Sequence, residues 1–213
     1  MRRVLLSAVA VLVVFAGCKS TYYKTWEKLG WAKRDILVDR VEDGRDDQQK
    51  AKEQFKTTME QFQALTHYQG GDLEAMYKKL NTSYESCKSR ADTVSSRIKS
   101  IDTVAQDMFK EWAEELKQYD NPKLKADSEK KLNDTKDRYA QLIGVMRKSE
   151  ASMQPVLTAF HDQVLYLKHN LNASAIASLQ TTATEINSDV ESLIKEMEAS
   201  INEANAFIGQ IKG

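Results

Sequence analysis

Apolar residues recur every seven positions along most of this chain, and that spacing restricts the possible folds more than any other feature. The pattern is clearest from residue 72 to residue 119, where two apolar series alternate at intervals of four and three. The two series are Leu73, Leu80, Cys87, Val94, Ile101, Met108 and Tyr77, Tyr84, Ala91, Ile98, Ala105, Trp112. This alternation is typical of helices that pack along a coiled-coil seam.

Turn signals divide the chain into four segments of this kind. The signals are Gly70-Gly71, Asn121-Pro122 and the stretch Asn170 to Asn172. The 213 residues include only two Pro and eight Gly, and so few breakers predict long helices. Asp72, Pro122 and Ser174 suit the first residues of helices. Pro155 falls inside a segment and predicts a kink or an interruption.

The other segments carry the same seven-residue spacing with more polar members. From residue 122 to 171 the two series are Leu132, Tyr139, Met146, Met153, Phe160, Leu167 and Thr135, Leu142, Ser149, Val156. From residue 174 they are Ile176, Ala183, Val190, Met197, Ala204, Ile211 and Leu179, Ile186, Leu193, Ser200, Phe207. The first segment is less regular and alternates Leu37, Gly44, Ala51, Thr58, Leu65 with Val41, Gln48, Phe55, Phe62.

Connections of only a few residues make consecutive helices antiparallel. We therefore expect residues 32–213 to form an all-α domain, an elongated antiparallel up-down-up-down four-helix bundle with coiled-coil heptad packing. The middle two helices would each be about 70 Å long. The turns at 70–71 and 170–172 would then lie together at the end opposite the chain's N-terminal region.

The N-terminal residues predict export and a lipid anchor. Arg2 and Arg3 precede an apolar run of about a dozen residues, which is too short to span a bilayer and typical of a secretory signal. Phe15-Ala16-Gly17-Cys18 resembles the bacterial lipobox, in which the cysteine is acylated. We expect residues 1–17 to be a lipoprotein signal peptide, Cys18 to be lipidated, and residues 18–31 to be a membrane-proximal tether or the start of the first helix. An ordinary signal peptide is the alternative.

Composition restricts the partners and the redox chemistry. The chain has 31 basic and 31 acidic side chains, so removing Arg2 and Arg3 with the signal leaves a net charge of about −2. That balance does not predict nucleic-acid binding. Past Cys18 only Cys87 remains, and we expect it to be buried as a small apolar residue. A disulfide to a second chain is the alternative.

Motifs for catalysis, phosphate binding and metal binding are absent from the sequence, which contains no Walker A loop, no HExxH and no GxSxG. We therefore expect no enzyme activity, no cofactor and no metal site. Two weaker features leave a ligand- or metal-binding bundle as the alternative. His67 and His169 could both lie at the far end. A cluster of carboxylates in the first helix could bind a cation, although pairing with nearby arginines is the simpler interpretation.

Two segments have chemistry suited to contacts outside the bundle. Tyr22, Tyr23, Trp26 and Trp31 lie among lysines close to Cys18, which fits a bilayer interface or, equally, a continuation of the core. The turn containing His169, Asn170 and Asn172 is a candidate protein-contact surface. The same turn would alternatively serve only to end one helix and begin the next.

Two sequence blocks resemble a known family. They are Lys33-Arg34-Asp35-Ile36-Leu37-Val38-Asp39-Arg40-Val41-Glu42-Asp43 and Asp162-Gln163-Val164-Leu165-Tyr166-Leu167-Lys168-His169-Asn170-Leu171-Asn172. With the lipobox, they are similar to the bacterial family of uncharacterised lipoproteins DUF2959. The resemblance covers nearly all of the mature chain. It implies no established activity and no catalytic residues.

These features favour a membrane-anchored periplasmic lipoprotein of the cell envelope, with a structural or protein-interaction role. By analogy with lipoprotein sorting in Gram-negative bacteria, Lys19 after the cysteine favours the outer membrane. A protein partner in the envelope is expected. The oligomeric state is left open by the sequence, because the seams could close within one chain or between two.

Overall fold

The computed structural model describes residues 33–67, 72–170 and 172–212. These residues form four α-helices, α1 (Lys33–Thr66), α2 (Leu73–Glu115), α3 (Pro122–His169) and α4 (Ala173–Lys212), with a 3₁₀ turn (Leu116–Gln118) after α2. The described ranges contain no strand. The predicted all-α fold is therefore confirmed. At 43 and 48 residues, α2 and α3 are about 65 and 70 Å long.

Local hydrogen bonds explain where the helices begin. The Asp72 carboxylate accepts a hydrogen bond from the backbone N–H of Ala75 at 3.0 Å and caps α2. The Asn121 side chain accepts from the first free N–H groups of α3, and Pro122 occupies the first turn, as predicted. Helix α4 begins at Ala173, so Ser174 lies within its first turn instead of capping it.

Pro155 does not interrupt α3, which is continuous through it. Of the two outcomes predicted at Pro155, a kink or an interruption, the interruption does not occur. Pro155 is exposed, so its ring occupies the outer face of the helix and displaces no core side chain. The helix loses the backbone hydrogen bond that an N–H at this position would donate.

Contacts between the helices show how they run. Residue numbers rise along α1 as they fall along α4 in the pairs Arg45–Asn205, Lys52–Glu198 and Gln63–Asn187. They likewise rise along α1 as they fall along α2 in the pairs Asp47–Arg97 and Thr58–Ser83. We call the end where α1 begins the near end, and the end containing Thr66 and His169 the far end. Lys33 pairs with Glu111 at the near end, and Gln180 bonds to Thr66 at the far end.

The core runs along the bundle as one apolar cluster. Along α2, Val104 and Phe109 are buried outside the seven-residue spacing. The other buried apolar residues keep that spacing and are Leu80, Tyr84, Cys87, Ala91, Val94, Ile98, Ile101, Ala105 and Met108. Helices α1 and α2 pack tightly at Gly44, where an added Cβ atom would lie 2.8 Å from Ile101 Cδ1. Glycine at this position lets α1 and α2 approach.

Candidate functional site

Large apolar side chains are exposed only near the two ends of the described structure. Tyr119 and Leu124 lie at the near end, 41% and 54% exposed, and Leu165 and Tyr166 lie near the far end, 47% and 42% exposed. Along α3, Leu124 and Leu165 are separated by about 60 Å of helix. Exposed apolar groups next to one another are typical of contact surfaces, whereas scattered single ones are ordinary. The two ends are therefore the candidate sites.

At the far end, the three residues predicted from the sequence have different roles. His169 is exposed at the last position of α3. Asn170 donates from its side chain to the Tyr166 carbonyl at 3.0 Å and ends the helix. The carbonyl of Asn172 accepts the N–H of Ile176 at 3.2 Å in the first turn of α4. Both asparagines therefore contribute hydrogen bonds to the turn, whereas the His169 side chain is exposed to solvent.

Leu165 and Tyr166 were missed as candidate contact residues by the sequence reasoning. Both lie within one turn of His169, and both fall outside the two seven-residue series of α3. Apolar residues outside the two seven-residue series would have indicated an exposed apolar surface from the sequence. The far-end surface, defined here as Leu165, Tyr166 and His169, therefore combines two apolar groups with a titratable one.

His67 and His161 contact different residues. The His67 ring nitrogen Nδ1 is 3.0 Å from the Gln63 carbonyl oxygen and 3.0 Å from the Thr66 hydroxyl. The His161 ring packs against Tyr84 in a tilted arrangement, with ring centroids 5.5 Å apart. Within the described ranges, no group of three or more His, Cys, Asp or Glu side chains is arranged to hold a metal ion.

A polar cleft lies between α1 and α4 beside His67. Its volume is about 530 Å³, and its walls include Gln63, Gln180 and Asn187. Gln63 donates to the Asn187 side chain at 2.9 Å, so the two helices are joined across the cleft floor. A cleft of this size and polarity could admit a small polar ligand.

Five of the six carboxylates clustered in α1 pair with cations, in line with the simpler interpretation, and they are Asp35, Glu42, Asp43, Asp46 and Asp47. Arg97 of α2 binds Asp47 through Nε at 2.7 Å and Asp43 through Nη1 at 3.1 Å. Burial alone would raise the pKa of Asp47, but hydrogen bonds from Arg97 and Lys50 outweigh it and hold that pKa below its usual value. The sequence could not reveal Arg97 as the main partner, because it lies 50 residues away.

Cys87 is fully buried, as predicted, with its sulfur 3.1 Å from the Thr58 hydroxyl oxygen. Burial raises the pKa of its thiol to about 12. A buried thiol with so high a pKa is a poor nucleophile at neutral pH. Its position in the core does not suit a disulfide to a second chain.

The near end carries a basic turn. Residues 117–125 contain three lysines and one aspartate around the exposed Tyr119 and Leu124. The N-terminus of α3 lies in the same turn and adds its positive dipole end. This near-end surface, defined as residues 117–125, is therefore apolar and cationic together.

The predicted lipid site at Cys18 and the aromatic stretch from Tyr22 to Trp31 lie outside the described residues. Among the helices that are described, none is both long enough and apolar enough to cross a bilayer.

The fold defines a class of protein, a long all-α four-helix bundle, here with exposed apolar side chains near both ends. The chain belongs to DUF2959, a family of proteins of unknown function, whose model matches residues 22–211. The family resemblance of the two sequence blocks is thereby confirmed. No curated protein and no solved structure matches the chain.

Proposed function

We propose that this protein is a non-enzymatic lipoprotein of the cell envelope, anchored to the outer membrane by a lipid on Cys18. Its bundle stands in the periplasm and presents the far-end surface to a protein partner. The observation that carries this proposal is the separation of two exposed apolar pairs by about 60 Å of helix. A rod with contact groups at both ends suits a spacer or an adaptor.

The direction of the helices supports the same arrangement. Helix α1 begins at the near end, so the residues between Cys18 and Lys33 lead into that end. A membrane anchor there would bring the basic near-end surface close to lipid headgroups, which suit lysine and aromatic side chains. The far-end surface would then be remote from the bilayer.

The anchor is tested by metabolic labelling with a palmitate analogue in a Gram-negative host. The full-length protein should incorporate the label and fractionate with outer membranes. A Cys18→Ser variant should lose the label and no longer fractionate with outer membranes. Unlabelled wild-type protein, or a variant that fractionates like wild type, would contradict lipidation.

The partner surface is tested separately by photo-crosslinking in living cells. A photoreactive residue in place of Tyr166 should give a discrete adduct, and the same residue in place of exposed Gln141 in the middle of α3 should not. The adduct should weaken at least several-fold when Leu165→Ser is added. Equal adducts from both positions, or an adduct insensitive to Leu165→Ser, would remove the far-end surface from the proposal while leaving the anchor untouched.

A second function, binding of a small polar ligand, is favoured only by the cleft between α1 and α4. Native mass spectrometry of the purified mature chain tests it. A co-purifying mass that is lost in an Asn187→Leu variant would support a ligand there. A bare protein mass in the wild type would count against it.

A further inference from the structure

Three buried polar side chains stand out in the middle of the bundle. Gln48 of α1, Ser149 of α3 and Ser200 of α4 are each 0% exposed. The amide oxygen and nitrogen of Gln48 and both serine hydroxyls make no hydrogen bond to protein atoms. The other buried polar residues are all partnered, and they are Asp47, Thr58, Thr66 and Ser83.

Contacts on either side place the three residues at one level of the bundle. Between α1 and α4, Gln48 and Ser200 fall between the pairs Arg45–Asn205 and Lys52–Glu198. Between α3 and α4, Ser149 lies between Lys148 and Ser152, and both of these contact Glu196, one helical turn from Ser200. The three polar groups therefore lie within about one helical turn of one another along the bundle, and we call them the central polar layer.

The central polar layer replaces apolar residues in three helices at once. Each member belongs to the second seven-residue series of its helix, and the neighbours in those series are Val41 and Phe55, Leu142 and Val156, and Leu193 and Phe207. All of these neighbours are buried. Two of the three members are serines, which are much smaller than the residues they replace. The layer is therefore polar, with apolar residues in the same series on both sides.

The helices themselves do not satisfy the two serines. Elsewhere in this chain, hydroxyls bond to the carbonyl four residues earlier, as in Thr82, Ser86, Thr93, Thr135 and Ser192. Ser149 and Ser200 make no such bond. The hydroxyls of Ser149 and Ser200 can therefore hydrogen-bond to a group inside the layer.

We propose that Gln48, Ser149 and Ser200 form an internal site that binds ordered water. A buried water makes about three hydrogen bonds and is found where polar groups would otherwise be unpaired. The Gln48 amide offers donors and an acceptor, and each hydroxyl offers one donor and two lone pairs. Water at this position gives these buried polar groups hydrogen-bond partners and links α1, α3 and α4.

Oxygen-17 magnetic relaxation dispersion on the full mature chain tests the proposal, because it detects long-lived internal water and does not respond to exchanging hydroxyl protons. The wild type should show a dispersion from at least one such water. The triple variant Gln48→Leu/Ser149→Ala/Ser200→Ala should lose that contribution. A surface change of the same chemistry, Gln141→Leu, should leave it unchanged.

A dispersion of equal amplitude in the wild type and the triple variant would overturn the proposal, and so would the absence of any dispersion in the wild type. If the triple variant fails to fold, the double variant Ser149→Ala/Ser200→Ala keeps Gln48 and the volume of the layer. Its dispersion should still fall, and an undiminished signal there would equally overturn the site.

Discussion

Cys87 lies in the core with its sulfur against the Thr58 hydroxyl, and burial raises the pKa of its thiol to about 12. A thiol of this kind contributes packing and a weak hydrogen bond. Buried polar groups in this bundle thus differ mainly in which partner offsets the free-energy cost of burying them. Thr58 and Cys87 compensate each other, and Asp47 has Arg97.

We predict that Cys87 reacts very slowly with thiol reagents while the protein is folded. At pH 8 its thiolate fraction should be about 10³-fold smaller than that of an unfolded cysteine. The measurement is the labelling rate of the unacylated mature chain carrying Cys18→Ser, with and without denaturant. Equal rates in the two conditions would contradict the burial of this side chain.

The raised pKa of the Cys87 thiol predicts a loss of stability at alkaline pH. Its pKa is higher in the folded state, so the unfolded thiol ionises first, and the stability it contributes is lost as pH rises from about 9 towards 12. Cys87→Ala should therefore show a weaker fall in the free energy of unfolding over this range. Parallel curves for the variant and the parent would refute the assignment.

Between α1 and α2, the main cross-helix polar contact is the cluster of Arg97 with Asp43 and Asp47. Asp47 has only 8% of its side chain exposed, so it depends on its cations more than its exposed neighbours do. Pro155 in α3 is a different case, because the helix continues at the expense of one hydrogen bond. Substitutions at Arg97 and Pro155 therefore test what stabilises these helices.

We predict that Arg97→Met lowers the free energy of unfolding by about 1–3 kcal/mol at pH 7, because Asp47 keeps only Lys50 as a partner. The pKa of Asp47 is held below its usual value of 3.8, so the stabilisation is present above that pH and is lost as pH falls through the folded-state pKa. The difference between variant and wild type should accordingly narrow in acid. Exposed Arg90→Met, measured by the same denaturant titration, should have little effect at either pH.

We predict that Pro155→Ala raises the free energy of unfolding by about 1–3 kcal/mol. The substitution restores a backbone donor on an exposed face and removes no buried contact. Gln154→Ala at the neighbouring exposed position is the control, and thermal or chemical unfolding supplies the measurement. A loss of stability in Pro155→Ala would show that α3 needs the proline to pack Val156 or Leu157.

Across the whole molecule, the two ends share exposed apolar groups but differ in charge. The near-end surface has three lysines and one aspartate, whereas the far-end surface has His169 beside Leu165 and Tyr166. A chain anchored at Cys18 would use the first against lipid and the second against protein. This difference gives the proposed orientation a direct test.

We predict that the unacylated mature chain binds vesicles of phosphatidylethanolamine and phosphatidylglycerol through its near end. Tyr119→Ser/Leu124→Ser should weaken binding several-fold in a flotation assay, because apolar contact with the interface is lost. The matched far-end pair Leu165→Ser/Tyr166→Ser should bind like the wild type. Weakening by the far-end pair alone would mean that the proposed orientation is reversed.

The sequence by itself determined the features that depend on local spacing and short-range hydrogen bonds. The all-α fold, the helix starts at Leu73 and Pro122 and the burial of Cys87 were all predicted and are confirmed, as is the family. Periodicity shows which face of a helix is buried, and caps are formed by residues close in the chain. Of the two outcomes predicted at Pro155, a kink or an interruption, the interruption does not occur, and the pattern alone did not show that the ring lies on the exposed face.

Only the tertiary structure decided which residues become neighbours across helices. Arg97 meets Asp47 across 50 residues of sequence, and Gln48, Ser149 and Ser200 are left buried without protein partners. The turn at Asn170 was predicted from the sequence, but only the structure shows that Leu165 and Tyr166 beside it are exposed. The physical reason is that the offset between two helices is set by how their side chains interlock, and no single helix carries that information.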